Sequence, residues 1–394
     1  MSVSIQSSFP QTDVLAVFYD MGETAYMKLA IDQLKIRGIS TTLLALGTAA
    51  VRAVEAGYDP KRIVFLKDIE GVKTEVSAQG WPRHAVLPKQ EVQLIAKEIA
   101  RLKPRCILSS PHATVPRQLS RRIFKECGLP GGRLFCCWDT PHTIPANHPD
   151  GGMEQFLRAD RGYHFLVPSQ PIADSIKTTK ATAVGHSPIE EFAREIDAAG
   201  QNRSAILKRL KLPEKPRITY IGGYDEGYDD SFRLFLKGVT WMRENGEPDL
   251  QVIVQIHPKF ASNPLEDIRE YQLACEQKVP NINICVKEPK TPGIGRATTP
   301  EAVAIASLVL STFSTVIPQA IAAGIPGHFV NVNPKKLDGN TMMEAGVCKN
   351  LQTGEEMMHA LRSPIKQGED FFTISGIPKN AAKVAADVIE QSLT

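Results

Sequence analysis

The chain has 394 residues, and at roughly 100 to 200 residues per domain that length implies two or three domains with a sizeable buried core. Hydrophobic residues make up 42% and charged residues 23%, with 28 Gly and 28 Pro scattered along the chain, which excludes disordered and fibrous classes. Lys and Arg outnumber Asp and Glu by 46 to 43, a balance too even to imply a nucleic-acid groove or an anionic membrane surface.

Taken in chain order, residues 12–19 form a short β-rich apolar run. Asp20 to Thr24 supply a turn, and 25–37 place apolar residues at helical spacing up to Gly38. A strand at 41–46 completes a strand, helix, strand unit of the kind that builds a parallel sheet. The alternation continues with a helix at 48–57, a strand at 62–67, a helix at 90–103 and a buried strand at 106–110. Then come a helix at 115–128, a strand at 133–138, a proline-rich loop to about 152, a strand at 163–169, a helix from Pro171 and a strand at 182–186.

Residues 188–212 read as one or two charged connecting helices, and 212–216 (LPEKP) as a proline-punctuated linker. A second round follows: strands at 217–223, 250–258, 282–288, 306–312 and 328–333, with helices at 230–244, 264–277, 299–306 and 315–324 between them. The economical reading is α/β with two Rossmann-like domains, 1–187 and 217–394, joined by 188–216 and facing across a cleft. Ala, Val and Ile at helical spacing in 380–393 predict a last helix that packs on one of them.

No run reaches the roughly 18 apolar residues of a transmembrane helix, and the first twenty residues lack a basic region followed by an apolar one, so a cytoplasmic protein is expected. Seven cysteines without a CxxC pair point to buried, reduced thiols. Cys136 and Cys137, adjacent in a strand, point to opposite faces and suit neither a zinc site nor an easy disulfide. With no DxD and no HExxH, no metal or other cofactor is expected, and GHS at 185–187 lacks the GxSxG elbow of a hydrolase.

The strongest chemical signal is 310–326 (LSTFSTVIPQAIAAGIP). A buried strand ends at Ser311 and Thr312, and a helix starts just after Ser314 and Thr315. Helix-end amides and these hydroxyls suit the phosphates of a nucleotide. The structural alternative is plain N-capping, worth about 1 kcal/mol. His257 and Glu288 end two further apolar strands, and Gly222-Gly223 end a third, so polar or compact groups gather where open α/β sheets bind ligands. A single strand-end histidine is more often structural, and the glycine pair, which is not a GxGxxG pattern, reads equally as a simple turn.

These stretches resemble the second domain of two-Rossmann (GT-B) glycosyltransferases, a superfamily that also takes in UDP-N-acetylglucosamine 2-epimerases and CDP-glycerol transferases. His257-Pro258, the loop Ser311 to Thr315, and Ala323-Gly324-Ile325-Pro326 carry the resemblance. Asp20 to Thr24, residues 107–130, Trp138-Asp139, and Val184 to Pro188 extend it through the first domain. The resemblance implies a nucleotide-sugar donor in the second domain, with His257 and Glu288 near the nucleotide, Ser314 and Thr315 on its phosphates, and Gln319 where relatives often set a Glu against the ribose.

For the catalytic base, Glu23 follows the first strand where inverting enzymes of this architecture often carry one, with His112 and Asp139 as rivals on neighbouring loops. A first-turn Glu favoured by the helix dipole and a loop-capping Asp are the structural alternatives. The expected activity is transfer of a sugar from a nucleotide sugar to a glycan or small-molecule acceptor. A 2-epimerase is the alternative, though its Ser-Gly-Gly phosphate loop is replaced here by Phe313-Ser314-Thr315, and a member that only binds the nucleotide sugar is the third reading.

Overall fold

Short runs of apolar, often β-branched residues are what a parallel sheet covered by helices on both faces demands. The first strand, β1 (Val14–Phe18), has all five residues buried. The structure, a computed structural model, describes residues 11–76, 85–111, 113–143, 162–223, 227–257, 260, 263–285, 297–362 and 370–394. Within these it divides into two units. The first takes its residues from Met1–Pro141, Asp150–Pro188 and Gly376–Thr394, the second from His142–Pro149 and Ile189–Ser375.

In the first unit β1 leads to α1 (Met21–Ile36), β2 (Thr41–Ala45), α2 (Gly47–Arg52) and β3 (Ile63–Phe65). Next come α3 (Lys89–Ala100), β4 (Cys106–Ser109), α4 (Thr114–Glu126), β5 (Leu134–Cys137), β6 (His164–Val167), α5 (Gln170–Ser175) and β7 (Ala181–Ala183). The sheet runs β3-β2-β1-β4-β5-β6-β7 with parallel pairing throughout. The strand order therefore reverses between β1 and β4, the place where such sheets leave a crevice at their carboxyl ends.

In the second unit α6 (Ser187–Gln201), which starts at the boundary, and α7 (Arg203–Leu210) precede β8 (Arg217–Ile221), α8 (Tyr228–Glu244), β9 (Gln251–Gln255) and α9 (Arg269–Glu276). Then follow β10 (Ile282–Cys285), α10 (Thr299–Ala304), β11 (Leu308–Ser311), α11 (Val316–Ala322) and β12 (Gly327–Phe329). Its sheet runs β10-β9-β8-β11-β12, all parallel, and reverses between β8 and β11. An aromatic cluster of Tyr220, Tyr228, Phe232 and Phe235 fills the core, with Tyr220 stacked on Phe235 at 4.4 Å between ring centroids. Three helices absent from the sequence reading close the unit: α12 (Thr341–Glu344), α13 (Gly354–Arg362) and α14 (Asp370–Ile374).

The last helix, α15 (Ala381–Leu393), belongs to the first unit, whereas the expected boundary put it with the second. Ala385, Ala386, Ile389 and Leu393 join the core formed by Met27, Ile31 and Leu34 of α1. Arg37, at the end of α1, pairs with Asp387 at 2.8 Å and Glu390 at 2.6 Å. Gly185 makes the approach possible: its φ is +84°, and a Cβ there would lie 2.3 Å from the Pro378 carbonyl and 2.7 Å from Ala381. The connecting segment 188–216 divides correspondingly, with all but its first residue in the second unit.

The seven cysteines are free thiols, five of them buried. Burial pushes Cys106 and Cys348 up to about 12, and Cys136 and Cys137 well above the ordinary thiol value, so none of the four is a thiolate at neutral pH. Among the described residues no helix is long and apolar enough to cross a membrane.

Candidate functional site

Strand register brings three of the expected segments of the second unit together. Ser311 pairs with Ile221 and Ile221 with Gln255, so β11, β8 and β9 end level with one another. Gly222, His257 and the hydroxyl loop at 312–315 leave the sheet side by side. Gly222 and the hydroxyl loop flank the β8–β11 reversal, where the sheet topology itself leaves space for a ligand.

Each residue there has a definable role. Gly222 donates its N–H to the Gln255 carbonyl at 2.7 Å, and a Cβ on it would meet Glu270 Oε1 at 2.9 Å, Gln255 O at 3.0 Å and His257 N at 3.2 Å. A Cβ on Gly223 would press on the Tyr228 ring at 3.1 Å. The glycine pair is thus demanded by close packing as well as by a turn. Ser311 Oγ donates to the Ile221 carbonyl and Thr312 Oγ1 meets Tyr220 Oη at 2.8 Å, so both are occupied in tying β11 to β8. Ser314 and Thr315 remain nearer the surface, half-buried and exposed respectively.

Ser314 Oγ accepts the Val316 N–H at 3.2 Å. In this state the serine performs the capping role that was the structural alternative. Gln319 is only 8% exposed, which counts against the ribose contact the resemblance implied. The motif Ala323-Gly324-Ile325-Pro326 terminates α11: Gly324 has φ +76°, and the Ile325 N–H returns to the Ala320 carbonyl at 2.9 Å. Pro326 then accepts the Val309 N–H with its carbonyl.

A buried carboxylate beneath the glycine pair escaped the sequence reading. Glu270 is 2% exposed and accepts a hydrogen bond from Tyr228 Oη at 2.7 Å. Burial pushes the Tyr228 phenol well above its ordinary value, so it serves as the donor of that pair. Arg269 lies over the Tyr228 ring at 4.6 Å from guanidinium to centroid, pairs with Asp229 at 2.9 Å, and sits 5.9 Å from the Phe260 ring. His257 is half-buried, with its ring edge-on to Phe260 at 6.3 Å. The sequence carried one faint signal, a Tyr-Asp-Asp triplet at 228–230 and an Arg-Glu pair at 269–270, which only the packing of α8 on α9 connects.

In the first unit the β1–β4 reversal is occupied differently. Glu23, expected as a base, is fully buried. It completes a capping box on α1, its Oε2 accepting the Asp20 N–H at 3.0 Å. This is the placement of the first-turn Glu that was the structural alternative. Asp139, half-buried beyond β5, is the rival carboxylate. A Cβ on Gly22 would lie 1.9 Å from Asp139 Oδ2, so the carboxylate occupies the space beside the first turn of α1, where the helix dipole favours negative charge.

His186 binds the Asp139 carbonyl through Nε2 at 2.9 Å and packs against the Tyr26 ring at 5.2 Å. Burial holds its imidazole neutral by pushing it down to about 4. His112 and Glu288 lie outside the described residues. Among the described residues, no group of three or more His, Cys, Asp or Glu is arranged to hold a metal ion.

None of the protein-family models matches the chain, and no curated protein matches it in sequence. Solved structures do resemble it. The UDP-GlcNAc 2-epimerase of Neisseria meningitidis bound to UDP-GlcNAc is similar at 12% identity with a TM-score of 0.60, over 96% of this chain and 99% of that one. MurG of Acinetobacter baumannii is similar at 15% identity and a TM-score of 0.54, over 97% of this chain and all 100% of its own. The wall teichoic acid polymerase TagF is similar at 10% identity and 0.52, over 99% and 91%. At such identities the likeness is one of fold. The chain has the GT-B fold that UDP-GlcNAc 2-epimerases, MurG and TagF share.

Proposed function

We propose that this protein is a nucleotide-sugar-dependent glycosyltransferase whose second unit binds the donor. The observation that carries the reading is the β8–β11 reversal, flanked by the side-chain-free pair Gly222-Gly223 and by the accessible hydroxyls of Ser314 and Thr315. Glycines let a diphosphate approach the backbone, and the hydroxyls, with the first amides of α11, complement its charge without a metal. Ser314 Oγ exchanges its capping contact with Val316 for a phosphate oxygen. His257 and Arg269 supply further donors at the ends of β9 and the start of α9.

In the proposed reaction an acceptor hydroxyl oxygen attacks the anomeric carbon of the donor sugar. The bond from that carbon to the diphosphate breaks, its electron pair stays on the diphosphate, and the acceptor proton passes to a base. Asp139 is proposed for that base because, of the two described candidates, it alone is not fully buried.

A second reading has a specific observation behind it. The likeness to the Neisseria meningitidis UDP-GlcNAc 2-epimerase has a TM-score of 0.60, against 0.54 for MurG and 0.52 for TagF. The two readings part on one measurement. Incubation with UDP-GlcNAc alone should leave the sugar unchanged, with UDP appearing only once an acceptor is added; an epimerised sugar in the absence of acceptor, whether still on UDP or freed from it by water, would favour the epimerase. A thermal-shift screen of UDP, CDP, GDP and dTDP compounds comes first, since a ligand at a hundred times its dissociation constant adds about 2.7 kcal/mol of stability. No shift with any of them would overturn the donor site itself.

A further inference from the structure

At the opposite, N-terminal edge of the first unit's sheet lies a cavity of about 500 Å³. Arg133 leads into β5, His164 opens β6, Lys180 leads into β7 and Thr182 lies within it. α15 contributes Ser392 to one wall, and Gly131 and Gly132 form the rim. A cavity of this size suits a small organic ligand. It belongs to the first unit, whereas the proposed donor site belongs to the second.

The chemistry of the cavity is one-sided. A guanidinium, an ammonium, an imidazole and two hydroxyls line it, and no Asp or Glu does. Elsewhere on this unit Arg37, Arg101, Arg105 and Arg122 each form an ion pair with a carboxylate. Arg133 and Lys180 form none among the described residues. His164 is 5% exposed, with Nε2 at 2.7 Å from Thr182 Oγ1. Burial, assisted by the Lys180 charge, pushes its imidazole down to about 4, so the ring is neutral at pH 7. A Cβ on Gly131 or Gly132 would meet nothing within 4 Å, which leaves the rim open.

We propose that this cavity is a binding site for the phosphate group of a small phosphorylated molecule, held by Arg133 and Lys180 with the Thr182 hydroxyl beside them. A phosphate dianion suits a guanidinium fork and an ammonium point charge acting together. The volume beyond the phosphate accommodates the organic remainder. Free phosphate presents the same chemistry, and the experiment separates the two.

Lys180 is exposed and therefore open to acylation, which peptide mass spectrometry of the full chain reads out. Glucose 1-phosphate and inorganic phosphate are the probes, each against chloride at equal ionic strength. At about ten times the dissociation constant, roughly a tenth of the sites stay empty, so acylation of Lys180 should slow by about tenfold. Lys177, exposed on the same segment, should label at an unchanged rate. Arg133→Gln should abolish the protection, whereas Ser314→Ala with Thr315→Ala should leave it intact and so separate this site from the donor site. Protection by glucose 1-phosphate at lower concentration than by phosphate assigns a phosphorylated molecule; equal protection assigns free phosphate. The proposal is overturned if neither probe slows Lys180, if Lys177 slows equally, or if protection survives in a folded Arg133→Gln variant.

Discussion

The two sheets reverse their strand order in the same way, β1 against β4 and β8 against β11, yet the two reversal points are furnished differently. After β1 the chain enters a 16-residue helix through a capping box, and the Asp139 carboxylate from the loop after β5 fills the space that Gly22 leaves. After β8 it passes through Gly222 and Gly223, and the loop facing them ends in hydroxyls near the surface. Identical topology therefore makes a reversal point a place where a ligand fits. Whether charged groups there are committed to the fold or left accessible depends on the side chains of the following turn.

Four experiments would break or sharpen that contrast. The largest expected effect is on turnover. Asp139→Asn should lower it by about 10² to 10⁴ while nucleotide affinity holds, as loss of a general base does. Glu23→Gln, which keeps the shape of the capping box, should remain within about tenfold of the parent. The opposite order, measured under saturating donor, would return the base to the first turn of α1.

Next comes the seam between α15 and the first sheet. Gly185→Ala combines a positive φ, costing about 1 to 2 kcal/mol, with a clash against the Pro378 carbonyl that costs about 1 to 3 more. Gly38→Ala has a similar φ of +77° and open space around it, so urea unfolding should show only the smaller cost there. Equal losses in the two variants would mean that α15 moves aside at no penalty.

The third concerns acid. His186 in the first unit and His328 in the second are both pushed down to about 4 by burial, and His328 Nδ1 accepts the Lys349 N–H at 3.0 Å. Each imidazole is neutral in the fold, while the unfolded chain binds a proton below about 6.5. Stability is therefore complete above that pH and falls as pH drops from 6.5 towards 4, by about 1.4 kcal/mol per pH unit for each group. Unfolding curves at pH 7.5, 6 and 5 test this, and a His328→Gln variant should show a shallower decline. A decline that begins only below pH 4 would place the cause in carboxylates instead.

The smallest effect is on affinity. Ser314→Ala with Thr315→Ala should weaken nucleotide binding by about tenfold, equivalent to about 1.4 kcal/mol, with no more than about 1 kcal/mol lost from the fold through the cap. An unchanged dissociation constant by calorimetry would leave Ser314 with its capping role alone.

Much of the fold was legible because strands buried on both faces must be short apolar runs, and amphipathic helices must show their period. Runs such as VLAVF and RITYI could hardly lie anywhere else. The stretch between β12 and α15 was not legible: α12 and α14 are too short, at 4 and 5 residues, to display a helical period. At the site, the ends of the strands announced Gly222, His257, Ser314 and Thr315, since register alone carries them to one edge. Burial could not be read in that way.

Sequence by itself determined the alternation of strands and helices, the free thiols and the polar strand ends, because each is a local property of composition and spacing. Tertiary structure alone decided that Glu23 is a buried cap, that Glu270 lies beneath the glycine pair, and that α15 returns to the first unit. The burial of Glu23 and the other two placements depend on which distant groups pack there: a Cβ on Gly185 would lie 2.3 Å from the Pro378 carbonyl, and one on Gly222 would lie 2.9 Å from Glu270 Oε1. No pattern along one segment can report such an approach, for the partner lies tens to hundreds of residues away.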